Sequence, residues 1–243
     1  MKVKNPFRGL TKLEWLLWMS SMAVVVASFL LSPAREPLNL CASLIGVTAL
    51  IFVAKGYVIG QVLTVVFAVL YGLISVYFRY YGEMITYLGM SAPAAILAVI
   101  SWLKHPYGKT AEVKVHRLSR GQQLGMVGSA ALVTVGFYFI LRGLGTANLL
   151  LSTISVTTSF LASYLTFFRS PFYALAYAAN DVVLILLWLL ATMEDPSYFP
   201  MIFCFVMFLV NDLYGFFNWQ RMERRQKRNI VEADEKRTSA EKV

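Results

Sequence analysis

The sequence predicts an all-α polytopic membrane protein with eight transmembrane helices, arranged as one extra N-terminal helix and a 3+1+3 core of two parallel repeats. Of its 243 residues, 58% are hydrophobic, and the mean hydropathy is +0.62, which is more apolar than a typical soluble domain. The apolar residues form eight runs, each suited to a membrane-spanning helix of roughly 17–25 residues. Because these runs are continuously apolar rather than alternating, they argue against a β-barrel.

The eight runs lie at 13–31, 38–54, 57–78, 84–103, 122–141, 148–168, 172–192 and 199–219. The first run follows a basic start, but Arg35, Glu36 and Pro37 come after it without a small-x-small cleavage site. We therefore interpret it as an uncleaved helix and not as a signal peptide. The polar stretches between and after the runs are too short for a soluble domain.

The distribution of basic residues predicts the orientation. With the N-terminus in the cytoplasm and eight crossings, 19 of the 22 Lys and Arg residues face the cytoplasm, and Arg35, Arg79 and Arg142 face outward. This asymmetry obeys the positive-inside rule and places both termini in the cytoplasm. It also accounts for the net charge of +9 without a nucleic-acid partner. The oligomeric state stays open, a homo-oligomer included.

Residues 38–104 and 153–221 resemble each other weakly, which predicts an internal repeat. A shift of 117 aligns Tyr81 with Tyr198 and Trp102 with Trp219. A single helix at 122–141 between two three-helix units makes them parallel, which is a known transporter plan. The predicted segments are an N-terminus with the extra helix, a first repeat, a basic cytoplasmic loop with the connecting helix, a second repeat and a charged cytoplasmic tail: 1–37, 38–104, 105–147, 148–221 and 222–243. We expect the final, mixed-charge stretch of the tail, through Glu232, Asp234 and Glu235, to be frayed or disordered.

Two Asn-Asp pairs lie within the last two apolar runs, Asn180 with Asp181 and Asn211 with Asp212. An ionised side chain at bilayer depth costs roughly 2.5–3.5 kcal/mol on insertion scales, so it is kept where it faces a protein interior or a wet cavity. The pairs therefore predict a polar solute site inside the bundle. The alternatives are that each Asn bridges two helices and that an Asp pairs with a basic residue such as Lys55 or Arg169.

Helical spacing places further polar and aromatic residues beside these pairs. Asn211 shares a face with Trp219, Tyr214 lies beside that face, and Asp212 points about 100° away. Amides and aromatic rings on facing helices suit a flat polar ring that carries hydroxyl groups. For the carboxylates two roles stay open, attraction of a cationic ring or acceptance of hydrogen bonds from hydroxyls. The candidate substrate-binding residues are Asn180, Asn211, Asp212, Tyr177, Tyr173, Trp188, Tyr214, Trp219, Asp181, Gln61, Thr64 and Trp102; for Trp102 and Trp219 the alternative is an interfacial aromatic belt.

The sequence lacks the patterns that catalysis would need. Cys41 and Cys204 both lie in apolar runs, and the two histidines, His105 and His116, lie in the basic loop. No metal-ligand spacing, no Ser-His or Cys-His pair at membrane depth and no phosphate-binding glycine loop is present. We therefore expect no enzyme activity, no metal and no cofactor. A non-catalytic scaffold or sensor stays an alternative to a solute carrier.

Three segments resemble one known family. The sequence VNDLYGFFNW at 210–219, followed by Arg221 and Met222, resembles the closing segment of the nicotinamide riboside transporter (PnuC) family. The sequences ISWLKHP at 100–106 and AKG at 54–56 are similar to that family as well. The resemblance covers about 38–222 and leaves the first helix as an extra.

The resemblance implies a fold and a function. The fold is a seven-helix 3+1+3 core related in plan to the SWEET sugar transporters. The function is uptake of a vitamin, nicotinamide riboside, across a bacterial inner membrane by facilitated diffusion, with trapping by a cytoplasmic kinase. Relatives carry thiamine or riboflavin, and ion coupling through Asp181 or Asp212 stays open. The family carries a Trp-x-x-Trp motif ahead of an Asn; Asn180 matches that Asn, and Tyr173 and Ala176 occupy the aromatic positions.

Overall fold

The computed structural model describes residues 5–31, 37–77 and 81–240. Within these ranges the structure is helical and contains no β-strand, and eight helices are long and apolar enough to cross a membrane. This confirms the predicted fold class. The helices are α1 (Lys12–Leu31), α2 (Pro37–Ala54), α3 (Val58–Tyr77), α4 (Tyr81–Met84), α5 (Ala92–Lys104), α6 (Arg120–Gly143), α7 (Leu149–Phe167), α8 (Tyr173–Glu194) and α9 (Phe199–Ala240).

The fourth membrane span is interrupted by a π-helical segment, Ile85–Ser91, between α4 and α5. The N–H of Ala92 donates to the carbonyl of Tyr87, five residues back. Pro93 follows at the start of α5, and it has no N–H with which to continue the ordinary i→i−4 ladder. Such π turns are frequent at functional sites, and this one lies beside the pocket described below.

Helix α9 is 42 residues long, so the prediction that the final stretch through Glu232, Asp234 and Glu235 is frayed or disordered is wrong for the described part. Ion pairs and amide contacts explain the extension. Glu223 accepts from Arg117 at 2.6 Å and from Lys227 at 2.7 Å. Gln226 donates to the carbonyl of Val113 at 3.0 Å and accepts from the N–H of Val115 at 2.9 Å. The segments 1–4, 32–36, 78–80 and 241–243, which include the predicted outward-facing residues Arg35 and Arg79, lie outside the described residues.

The helices pack as two groups of three. Helix α3 contacts α2 and α5 in one group, and α8 contacts α7 and α9 in the other. The groups meet where α2 packs on α9 and α5 packs on α7, while α6 lies against α7 and α1 lies against α2 and α9. This grouping agrees with the predicted 3+1+3 plan, although the repeat and its segment boundaries stay a prediction.

Helices α2 and α7 end with the same backbone hydrogen bonds. Gly56 N–H donates to Val53 and Tyr57 N–H to Phe52, each at 2.9 Å. In α7 the equivalent bonds run from Arg169 to Thr166 and from Ser170 to Leu165, also at 2.9 Å. Gly56 and Arg169 both adopt positive φ, 68° and 56°, which is the left-handed turn that commonly ends a helix.

The segment 105–119, here called the strap, closes this end of the bundle. Val113 is 1% exposed, and its N–H donates to the carbonyl of Gly56 at 3.0 Å. His116 N–H donates to the carbonyl of Arg169 at 3.1 Å. The strap therefore binds the turns that end α2 and α7, and we call this side of the molecule the strap end. Arg117 belongs to the strap, and the hydrogen bond that it donates to the Glu223 carboxylate of α9 raises its pKa.

Candidate functional site

A cavity of about 330 Å³ lies between the two helix groups. This is within the size range of small-molecule sites, roughly 300–1,000 Å³. Helices α2, α3, α7, α8 and α9 and the π segment all contribute to its wall. The polar lining is drawn from hydroxyl, amide and carboxyl side chains: Gln61, Thr64, Thr86, Ser91, Thr146, Ser152, Ser155, Ser159, Asn180, Asp181 and Asp212.

Three aromatic rings separate the cavity from the strap. Tyr173 lines the cavity and lies edge-on against Trp219, with ring centroids 4.9 Å apart. Trp219 in turn contacts Trp102 at 5.5 Å, and all three residues are at most 1% exposed. Gly215 permits this packing, because a Cβ there would lie 3.2 Å from the Tyr173 hydroxyl. The cavity is therefore closed at the strap end, and its lining reaches Thr146 near the opposite end.

Asn180 is held in a defined orientation by two hydroxyls of α7. Its Oδ1 accepts hydrogen bonds from Ser155 at 3.0 Å and from Thr158 at 2.9 Å. The side chain is 6% exposed and lines the cavity. Because both contacts fall on the carbonyl oxygen, the amide N–H groups are left for an acceptor on a solute.

Asp181 and Asp212 form a buried acidic pair on adjacent helices. Both line the cavity, and they are 4% and 5% exposed. Oδ2 of Asp181 has no hydrogen-bond partner among the described residues. The basic partners considered from the sequence are engaged elsewhere. Lys55 pairs with Glu14 at 3.1 Å, and Arg169 donates to Ser101 and to the carbonyl of Lys114.

Aromatic side chains supply flat surfaces along α8. Tyr177 lines the cavity, and its hydroxyl lies 3.3 Å from that of Ser163. Trp188 also lines the cavity, and its ring stacks on Phe205 with centroids 6.4 Å apart and an interplanar angle of 17°. Rings fixed in this way can stack on a planar solute.

Four candidates from the sequence do not line the cavity. Asn211 donates to the Ser21 hydroxyl of α1 at 2.9 Å, and Tyr214 donates to Glu14 at 2.7 Å. Trp219 and Trp102 donate their indole N–H groups to backbone carbonyls, as described below. The predicted Asn211 face of α9 thus turns toward α1 and α2, while Asp212 turns to the cavity.

The other eight candidates are brought together at the cavity wall: Gln61, Thr64, Tyr173, Tyr177, Asn180, Asp181, Trp188 and Asp212.

Sequence reasoning missed the serines of α7. Ser152, Ser155 and Ser159 all line the cavity, and their spacing of three and four residues places them on one helix face. That polar stripe in an apolar run was a usable signal. It also missed the cluster of Phe67, Tyr71 and Tyr87, whose rings lie 4.6–5.9 Å apart, since aromatic residues in membrane helices carry little positional information.

The arrangement suits binding of a polar planar solute. Among the lining residues that the structure describes, the ionisable groups are the acidic pair and tyrosines, and none is Lys, Arg or His. Within the described ranges, no group of three His, Cys, Asp or Glu side chains is placed to hold a metal ion. The cavity therefore offers hydrogen bonds, aromatic faces and negative charge, but no positive charge.

Comparisons with known proteins give one consistent result. A family model described as nicotinamide mononucleotide transporter matches residues 36–221. A protein of Neisseria mucosa named nicotinamide riboside transporter PnuC is 29% identical over 226 residues, which cover 90% of this chain and 85% of that protein. A crystal structure titled as the vitamin B3 transporter PnuC superposes with a TM-score of 0.76 at 27% identity, covering 90% of this chain and 94% of that one.

Proposed function

Since this chain belongs to the nicotinamide mononucleotide transporter family, we propose that its cavity carries nicotinamide riboside across a bacterial inner membrane. The PnuC protein of Neisseria mucosa is named for that solute. The chain is a multi-pass membrane protein with eight spans among its described residues. In the proposed orientation both termini and the strap are cytoplasmic, following the distribution of Lys and Arg.

The charge of the cavity wall supports a nucleoside over a nucleotide. A phosphate group brings about two negative charges at neutral pH, and binding sites usually pair it with Arg or Lys. The described lining residues offer two carboxyl groups instead. Binding a phosphate at bilayer depth beside them would add like-charge repulsion to the cost of desolvation. This observation carries the proposal that the unphosphorylated riboside is the solute.

The geometry supports a proposed role for each of these residues. The Asn180 amide, fixed by Ser155 and Thr158, donates to a solute oxygen. Tyr177 or Trp188 stacks on the ring. Gln61 and Thr64, on α3 across the cavity, bind hydroxyls or the carboxamide. Asn211, Tyr214, Trp219 and Trp102 hold the surrounding helices, because their donors already have protein partners.

We further propose facilitated diffusion with alternating exposure of the cavity between the two helix groups. Opening at the strap end requires movement of the layer of Tyr173, Trp219 and Trp102. Phosphorylation of the riboside by a cytoplasmic kinase would then trap it, because the negatively charged phosphate of the product does not suit the cavity.

Calorimetric titration of the purified protein tests the solute. We expect binding of nicotinamide riboside and at least tenfold weaker binding of nicotinamide mononucleotide, thiamine and riboflavin. Tight binding of thiamine or riboflavin alone would move the solute to another vitamin on the same fold. Absence of heat with all four compounds, on monodisperse protein, would favour a scaffold or sensor and overturn the proposal.

Uptake into proteoliposomes tests the transport mode. We expect the initial rate to persist when ionophores collapse proton and sodium gradients, and internal kinase with ATP to raise the amount accumulated. Uptake abolished by an ionophore would show ion coupling and contradict facilitated diffusion.

A further inference from the structure

We propose that the acidic pair of Asp181 and Asp212 is a cation subsite that selects solutes whose ring carries a positive charge. The inference deepens the proposed function and rests on it. In this role the pair favours the positively charged pyridinium ring of the proposed solute over neutral rings of the same shape. The pair thereby becomes the specificity determinant of the cavity.

One carboxylate oxygen of the pair has no hydrogen-bond partner. Asp181 is 4% exposed, it lines the cavity, and its Oδ2 has no hydrogen-bond partner among the described residues. A buried polar atom left without a partner costs roughly 1–3 kcal/mol, and more when it is charged. A group in the cavity that compensates this oxygen recovers that cost, so the site favours a hydrogen-bond donor or a cation.

The two carboxyl groups together carry one negative charge. Asp181 and Asp212 line the same cavity from adjacent helices, and two carboxyl groups that share a buried site do not both stay ionised. A pyridinium ring carries one positive charge. The bound complex is then electrically neutral at bilayer depth, where a net charge is costly.

The cavity wall holds no competing counter-ion among the described residues, since its lining includes no Lys, Arg or His. Lys55 is bound to Glu14 in the first turn of α1, and Arg169 donates to Ser101 and to the strap carbonyl of Lys114. A cationic solute would therefore be the counter-ion of the acidic pair.

A matched pair of ligands isolates the ring charge. Nicotinamide riboside has a cationic ring, whereas its dihydro form has the same ribose and carboxamide on a neutral ring. We would titrate both into the full-length protein and into the variants Asp181→Asn, Asp212→Asn and Asp181→Glu. Asp195→Asn is the control, since Asp195 is exposed and does not line the cavity.

We expect the wild type and Asp195→Asn to bind the cationic form at least tenfold more tightly than the neutral form. Asp181→Asn and Asp212→Asn should reduce that ratio at least tenfold by weakening the cation alone, and Asp181→Glu should retain a preference. Equal wild-type affinities for the two forms would overturn the inference and leave the proposed function intact, even if no variant folds. Binding that requires Na⁺, with a ratio unchanged in both Asn variants, would also overturn it in favour of an inorganic cation. Binding of neither form would overturn the proposed function together with the inference.

Discussion

Trp102 and Trp219 form equivalent hydrogen bonds, each to the helix group opposite its own. Trp102, on α5, donates its indole N–H to the carbonyl of Thr166 on α7 at 2.8 Å. Trp219, on α9, donates to the carbonyl of Val53 on α2 at 2.9 Å. These carbonyls are the ones that also accept from Arg169 and Gly56 in the matched turns. The residue before each tryptophan also bonds to the opposite helix group: Ser101 donates to the carbonyl of Phe167, and Asn218 donates to the carbonyl of Ala54.

We expect Trp102→Phe and Trp219→Phe each to lower the free energy of unfolding by about 0.5–1.5 kcal/mol, the usual contribution of one hydrogen bond. The measurement is thermal unfolding of the purified protein in detergent. Trp15→Phe is the control, because Trp15 is 38% exposed. An equal loss in all three variants would contradict a specific role for the crossed bonds.

Gly60→Ala should destabilise the first helix group. A Cβ at Gly60 would lie 2.4 Å from the backbone nitrogen of Val53, and backbone atoms cannot rotate away. We expect a cost of about 1–3 kcal/mol, as for other overpacking changes. At Gly128 a Cβ meets nothing within 4 Å, so Gly128→Ala should be neutral or stabilising through helix propensity. The same thermal assay would refute this account if both variants unfolded alike.

Asn180→Ala and Asn211→Ala should separate binding from stability. Asn180 lines the cavity, so its loss should weaken nicotinamide riboside binding about tenfold, or about 1.4 kcal/mol. Asn211 contacts Ser21 instead, so its loss should lower thermal stability and leave the affinity within about twofold. Calorimetry of both variants is the check. A large loss of affinity in Asn211→Ala would place that residue in the solute path.

Glu14→Gln should destabilise the bundle by leaving the Lys55 ammonium without its counter-charge. Glu14 is 1% exposed and also accepts from Tyr214 and from the N–H of Thr11. We expect a loss of about 1–3 kcal/mol, moderated because a long Lys side chain can reach toward water. The double variant Glu14→Gln with Lys55→Met removes the unpaired charge and should recover part of the loss. If the double variant is less stable than Glu14→Gln, the ion pair does not explain the effect.

The sequence determined the helices more fully than the cavity. Length and hydropathy located all eight spans, since the bilayer imposes both. They did not locate the π turn before Pro93 or the continuation of α9, which depends on contacts of Glu223 and Gln226 with the strap. On α8, helical spacing placed Asn180 and Tyr177 on one face, because residues three positions apart on the same helix are neighbours. On α9 it favoured Asn211 over Asp212. The two residues lie on different faces of the helix, and only the packing against α1 shows that the Asn211 face is covered while Asp212 lines the cavity.

The bond between Ser21 and Asn211 joins residues 190 positions apart, in the first and the last membrane helix. During synthesis α1 enters the bilayer long before α9 emerges from the ribosome. Until then Glu14 and Ser21 of α1 lack the contacts that Tyr214 and Asn211 of α9 supply. Helix α9 makes these two contacts only if α1 has remained in place. Assembly of this bundle is therefore completed only when α1 and α9, the first and the last membrane helices, meet. In a chain truncated before α9, polar side chains of α1 would lack their α9 partners and be exposed to the quality-control machinery of the membrane.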